Sequence, residues 1–351
     1  MPVPRLAALA TGVPPFVLEQ DAVAARVRSL FAHNPVVEHL MPVFESTGIR
    51  RRHAAVPLAW FDAPHSWHER NARYLATAVP LLCDLAARAL DRAGVCAGEV
   101  GAVVTVSTTG IATPSLDARL LEPLGLPSTV ERLPIFGLGC AGGVLGLGRA
   151  ATMAACMPQK AVLLLVVELC SLTFRREDAS KNNIVATALF SDGAAAAVLR
   201  CGGNGPALIA QGEHTWPGSL DIMGWEVADN GLQPVFSRDI PALILGRLAG
   251  AVGDFLESHG LALSGIDRFV CHPGGPKVIA ACETVFGLPA GTLRAEREVL
   301  RDFGNMSAAS VLFVLERMIE DARGNGSAWE HALLTAFGPG FSAGFAVLKH
   351  R

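Results

Sequence analysis

The stretch FGLGCAGGVLGLGRA, residues 136–150, places one thiol, Cys140, among small residues. Gly139 precedes it, Gly142 and Gly143 follow it, and then an apolar run begins that reads as a helix. A helix start leaves backbone amides unpaired and favours negative charge, so a thiol there has its pKa lowered. Glycines on either side let backbone amides approach an acyl oxygen closely. Two readings stand at this point. Cys140 is a small core residue in a tight turn, or it is a nucleophile kept clear for a large substrate.

The rest of the chain narrows the setting. Of 351 residues, 51% are hydrophobic and 17% charged, enough to bury a large core. The stretch AVLLLVVELC is interrupted by Glu168, well short of the roughly 20 apolar residues of a membrane span. The N-terminus MPVPRLAALATGVPP has one Arg and a short apolar run closed by Pro14, so it reads as a first strand rather than a leader. The expectation is a cytoplasmic protein without a membrane span. Net charge is −3 with no basic stripe, which argues against nucleic acid. The eight cysteines form no CxxC pair, so neither a metal site nor a disulfide framework is expected.

Along the chain, helical apolar spacing covers 74–92, and VGAVVTVSTTG reads as a strand. A helix around 115–124 and a strand near 130–137 lead to Cys140, and AVLLLVVEL reads as a buried strand. ATALFSDGAAAAVLR reads as a hairpin turning at Ser-Asp-Gly. The second half repeats this order. A helix at 240–260 precedes the strand IDRFVCHPGG, and helices follow at 276–286 and over GNMSAASVLFVLERMIEDA. HALLTAFGPGFSAGFAVLKHR reads as strand, Gly-Pro-Gly turn and strand.

The halves are therefore comparable, 1–203 with 204–351. VVTVSTTG resembles RFVCHPGG, which sets Thr108 opposite His272. The interval from Thr108 to Cys140 matches that from His272 to Asn305 to within one residue. This pattern implies a duplicated αβ unit with a pseudo-twofold axis. It sets Cys140 and Asn305 at equivalent helix starts and draws Cys140, His272 and Asn305 together. Taken singly, His272 fits a turn residue after a strand, and Asn305 fits an N-cap.

The order Cys, His, Asn, with STTGIATPSLDARL, GLGCAGG, VVELCSLTFR, ALFSDGAAAAV, HPGGPKVI, REVLRDFGNMSAASVLF and AFGPGF, resembles the chalcone synthase-like type III polyketide synthases. The resemblance runs from about Arg5 to the end of the chain. It implies the thiolase-like α/β fold, with αβαβα-layered halves, and a homodimer. It implies acyl transfer with malonyl-CoA and acyl-CoA as substrates and no separate cofactor or metal. It assigns Cys140 as the acyl-carrying nucleophile and His272 and Asn305 as its catalytic partners, with His272 protonated beside a Cys140 thiolate. Phe190 falls at the gatekeeper between CoA tunnel and cavity. Thr108, Cys170, Thr173 and Ser307 fall at cavity-lining positions, and Gly338, Pro339 and Gly340 at the loop shaping its floor. Arg50 and Arg51, in the basic run IRRRH, fall where CoA phosphates bind.

Departures from the plant members are visible. Pro234 stands where they carry a second gatekeeper phenylalanine, with Phe236 two residues on, and Cys170 stands where they carry threonine. TGIATPSLDARL and HTWPGSLDIMGWEVADNGL look like bacterial members that make alkylpyrones or alkylresorcinols from fatty acyl starters. The nearest alternative is a β-ketoacyl carrier-protein synthase of the initiating type, which also uses Cys, His and Asn. That family typically shows His-Gln-Ala-Asn where this chain has His-Pro-Gly-Gly-Pro-Lys. A non-catalytic acyl-binding protein would not need all three residues, and a papain-like protease would be expected with a secretory context.

Overall fold

Ala161–Leu169 is buried at every position, and the two faces of this strand explain the architecture. Val162, Leu164 and Val166 point into one core, and Leu163, Leu165 and Val167 into another. A strand covered on both faces reads as a continuous apolar run, as this one does. The computed structural model describes residues 2–32, 34–326 and 328–350.

In chain order the strands are β1 Pro4–Gly12, β2 Phe16–Glu19, β3 Arg51–Ala54, β4 Val100–Val106, β5 Glu131–Ile135, β6 Ala161–Leu169, β7 Asp192–Cys201, β8 Ala207–Thr215, β9 Met223–Ala228, β10 Gly231–Phe236, β11 Arg268–Cys271, β12 His331–Gly338 and β13 Ser342–Lys349. The α-helices are α1 Gln20–Leu30, α2 Pro35–Leu40, α3 Pro42–Ser46, α4 Trp67–Ala93, α5 Leu116–Leu120, α6 Gly142–Cys156, α7 Lys181–Leu189, α8 Ile240–Ser258, α9 Pro276–Val285, α10 Arg294–Phe303 and α11 Ser310–Asn325.

Nine strands form one mixed sheet in the order β11-β12-β13-β8-β1-β7-β6-β4-β5. Outward from the β8–β1 contact each half has two antiparallel pairings and then a parallel one, with β5 an additional parallel edge strand in the first half. Helices α6 and α11 lie in the middle, with Val144, Leu147, Val311 and Leu312 in one core with β6 and β12. Helix α4 covers the outer face of the first half through Leu82 and Leu85. Helix α8 covers that of the second half through Ile244, Leu248 and Val252. The result is five layers, α/β/α/β/α.

Helix α4 begins upstream of the expected 74–92 because Ser66 and Glu69 form a capping box, and it stops at Gly94, φ +60°. The hairpin expected over ATALFSDGAAAAVLR is corrected. Residues up to Leu189 belong to α7, capped by the Ser180 hydroxyl on Asn183 N–H, and only Asp192–Cys201 is strand. A short apolar run has no period of its own, and the polar cap at Ser180, upstream of it, decides it. β7 pairs instead with β6, and the segment between them, 170–191, is an insertion relative to the short turn between β12 and β13.

The match between Cys140 and Asn305 is also corrected in detail. Each central helix is preceded by a 3₁₀ turn, Gly139–Ala141 before α6 and Ser307–Ala309 before α11. Cys140 is the middle residue of its turn, whereas Asn305 lies two residues ahead of its own. The junctions correspond; the residues are offset.

Where α6 and α11 meet, small residues are obligatory. A Cβ on Gly143 would lie 2.2 Å from the Ala308 carbonyl oxygen, a backbone atom that cannot swing aside. Gly143→Ala is expected to cost about 1–3 kcal/mol or more of stability, since overpacking forces backbone shifts. Chemical denaturation of the two proteins measures this, and equal midpoints would contradict the packing described.

Candidate active site

Cys140 is buried on its 3₁₀ turn, and the chain around it has no room for side chains. Gly139 has φ +47°, and a Cβ there would meet Pro339 Cδ at 2.7 Å. A Cβ on Gly338 would meet the Leu138 carbonyl at 2.6 Å. The Gly338-Pro339-Gly340 turn is thus packed directly on the junction that carries Cys140. Gly340, φ +76°, donates its N–H to the carbonyl of Met223 at 3.0 Å. Thr108 steadies the junction from below, its hydroxyl accepting from Gly139 N–H at 3.1 Å.

His272 follows the end of β11, its backbone N–H bonded to the Thr335 carbonyl at 2.8 Å. Both ring nitrogens are buried and have no hydrogen-bond partner among the described residues. Asn305 is oriented by its neighbours: Oδ1 accepts from Ser307 N–H at 2.9 Å, so Nδ2 faces outward and donates to the Gly274 carbonyl at 3.3 Å. Ser307, held at φ +48°, also accepts from the Cys140 thiol at 3.6 Å. Cys140, His272, Asn305 and Phe190 all line one cavity of about 640 Å³. Cys170 and Thr173 line a smaller cavity of about 60 Å³, and Phe190 is shared between the two.

Burial governs the protonation of Cys140 and His272. It pushes the Cys140 thiol up to about 12, with the Ser307 hydrogen bond working the other way and Glu168 adding to the rise. It pushes the His272 imidazole down to about 3. The low thiol pKa expected from a helix start is therefore outweighed here by desolvation. Burial thus favours the neutral thiol together with the neutral imidazole over the thiolate–imidazolium pair that the family resemblance implies.

The chain matches the model for the N-terminal domain of chalcone and stilbene synthases over residues 4–204 and that for the C-terminal domain over 208–350. It belongs to the chalcone and stilbene synthase family. It is 38% identical over 351 residues to the 1,3,6,8-tetrahydroxynaphthalene synthase of Streptomyces peucetius, covering 98% of this chain and 92% of that one. It is 32% identical over 352 residues to the α-pyrone synthesis polyketide synthase-like Pks18 of Mycobacterium tuberculosis, covering 95% and 87%. The crystal structure of the Streptomyces coelicolor tetrahydroxynaphthalene synthase, a bacterial type III polyketide synthase, superposes with a TM-score of 0.93 at 29% identity and covers 99% of both chains. This chain is thus a thiolase-fold acyltransferase of the type III polyketide synthase family. The family assignment also sets aside the initiating carrier-protein synthase alternative.

Within this type III synthase, two expected features sit differently. Arg50 is exposed and pairs with Asp302 at 3.7 Å, and Arg51 lies on β3; neither lines the Cys140 cavity. The cations that do line it are Lys181, Arg238 and Lys277. Phe236, not Pro234, supplies the second aromatic beside Phe190, with ring centroids 5.6 Å apart, and Trp225 stacks on Phe190 at 5.9 Å. The hairpin β9–β10 that carries both aromatics has no counterpart in the sequence reading.

Glu168 was also missed as a site residue. It is fully buried; Oε2 accepts from Thr108 N–H and Thr109 N–H, each at 3.1 Å, and from the Thr109 hydroxyl at 2.8 Å, while Oε1 has no partner. Burial raises its carboxyl to about 7. The signal was present: a carboxylate inside an otherwise apolar strand is costly unless it is hydrogen-bonded and used.

Among the described residues no helix is long and apolar enough to cross a membrane.

Proposed function

We propose that the chain condenses malonyl-CoA iteratively onto an acyl group carried by Cys140 and releases a cyclised polyketide. The observation that carries this reading is the shared cavity: Cys140, His272, Asn305 and Phe190 face one space large enough for a growing chain. Cys140 gives its proton to His272 and attacks the acyl-CoA thioester; the new C–S bond forms as CoA thiolate leaves and takes up the proton. Backbone amides near Cys140 are proposed to hold the oxyanion. Malonyl-CoA then occupies the cavity. Neutral His272 and the Asn305 amide donate to its thioester carbonyl, and loss of CO2 leaves the enolate. No general base is needed for that step, because decarboxylation itself supplies the carbanion. The enolate carbon attacks the Cys140 thioester carbonyl; the C–S bond to Cys140 breaks, the β-ketoacyl chain, two carbons longer, is left on CoA, and it returns to Cys140 by the same thioester exchange before the next extension. Closure by aldol, Claisen or lactone chemistry gives a pyrone, resorcinol or related aromatic product. The relatives' products, a naphthalene and an α-pyrone, support this range.

Malonyl-CoA and acyl-CoA are the proposed small-molecule partners, with no separate cofactor. A cytoplasmic homodimer is proposed on the same resemblance; the exposed apolar side chains Ile111 and Phe136, flanking the loops to the site, support a second copy.

Incubation with malonyl-CoA and acyl-CoAs from short to long, with mass analysis of products, tests the function. Multiple extensions from free malonyl-CoA are expected. A requirement for malonyl carrier protein would overturn the reading.

CoA phosphates are proposed to meet Lys181, Arg238 and Lys277 at the mouth of the cavity. Lys181→Ala with Lys277→Ala is expected to raise KM for malonyl-CoA several-fold with kcat little changed, and to weaken the salt dependence of KM. Arg50→Ala and Arg51→Ala should change it less. Steady-state kinetics at two ionic strengths decides between the two sets.

A further inference from the structure

Arg52, the third arginine of the basic run, behaves unlike its neighbours. Its side chain is buried. One amino group donates to the carbonyls of Thr187 and Phe190, the latter at 2.9 Å. The other donates to the Ala188 carbonyl at 3.2 Å and to Gln20 Oε1. Gln20 Nε2 in turn donates to the Ala188 carbonyl at 3.0 Å and to the Phe44 carbonyl at 3.1 Å. The last carbonyls of a helix have no partner within it and carry partial negative charge. A guanidinium can reach several of them at once, and an ammonium cannot do so with the same geometry.

The same short segment is fixed from its other side. Ser191 N–H donates to the Asn305 carbonyl at 2.8 Å, and Asn305 N–H donates to the Leu189 carbonyl at 2.9 Å. His53, next to Arg52 on β3, donates its N–H to Ser191 Oγ at 3.0 Å. Residues 187–191 are thus gripped by Arg52 and β3 behind and by the Asn305 backbone in front. The ring they carry, Phe190, is the wall between the two cavities.

We propose that Arg52 is a positioning residue: by holding the end of α7 it fixes Phe190 and Asn305 relative to Cys140, and so sets the chain length at which the product leaves. The inference rests on the reading of Cys140, His272 and Asn305 as the condensing site. Loosening the segment lets the wall yield to a longer chain or lets a shorter one escape; either changes the ratio of products without removing any group that touches the reacting atoms.

Arg52→Lys keeps the charge and loses the fan of donors. Its products from malonyl-CoA and hexanoyl-CoA are compared with wild type by mass, alongside unfolding temperature and malonyl-CoA decarboxylation. The ratio of short to long products is expected to shift about tenfold, the effect of one lost charge-assisted hydrogen bond. In a Phe190→Leu background, the same substitution should add little further. A folded, active Arg52→Lys protein with the wild-type ratio overturns the proposal, as does an equal shift in both backgrounds. If Arg52→Lys does not fold, Gln20→Leu, which removes the partner that orients the guanidinium, is held to the same criteria. Product formation by a Cys140→Ala protein would instead overturn the underlying site reading, so the two failures are distinct.

Discussion

Cys140→Ala is expected to end polyketide formation, by a factor of about 10³ or more, while malonyl-CoA decarboxylation persists. The separation follows from which atoms each step uses. Extension needs a thioester on Cys140 as the electrophile, and alanine offers no atom to carry it. Decarboxylation needs only a bound malonyl thioester and donors to its carbonyl, and His272 and Asn305 remain. The backbone should tolerate the change, because alanine fits wherever the buried thiol fitted. Released acetyl-CoA and CO2, against absent product, is the pattern to look for.

Asn305→Ala is expected to lower malonyl-CoA decarboxylation about 10²–10³-fold, the usual cost of one donor to a developing oxyanion. Binding of malonyl-CoA should change far less, since the donor is used most strongly as negative charge builds on the thioester oxygen. Asn305→Asp should be at least as harmful although it is nearly isosteric. Its carboxylate would sit buried next to the enolate and, while still accepting from Ser307 N–H, would face the Gly274 carbonyl without the amide's donor. Single-turnover measurement of CO2 release in the three proteins checks this. A decarboxylation rate in Asn305→Ala equal to wild type would remove Asn305 from the enolate-stabilising role.

Much of the architecture was readable where a long period or a cap speaks. Helices expected at 240–260 and 276–286 are found at Ile240–Ser258 and Pro276–Val285, because their apolar spacing runs for several turns. The final strand–turn–strand was legible from Gly-Pro-Gly between two apolar runs, and it pairs from His331↔Lys349 to Gly338↔Ser342. The half-to-half repeat was legible as order and interval, and it brought Cys140, His272 and Asn305 from the two halves of the chain into one cavity. It could not resolve the offset between Cys140 and Asn305, because nearly equal intervals conceal different helix starts. The hairpin reading of ALFSDG failed for want of length, and the β9–β10 hairpin was invisible because its strands are short and half-exposed. The site's buried polar groups were hardest to read. Arg52 is one of three adjacent arginines, and its partners are backbone carbonyls near residue 190, which leave no mark on composition or spacing. The cavity-lining cations Lys181, Arg238 and Lys277 come from α7, the β10–α8 connection and α9, whereas the contiguous run Arg50–Arg52 divides between surface and core.

The central claim is that the growing chain is carried on Cys140. Its most direct test is mass analysis of the protein quenched in acid during turnover with malonyl-CoA and an acyl-CoA. Peptides containing Cys140 are expected to carry the starter acyl group and its extended forms, with spacing of one two-carbon ketide unit, and Cys140→Ala should carry none and make no product. Full-length product from Cys140→Ala, or extended acyl groups found on a different residue, would contradict the account.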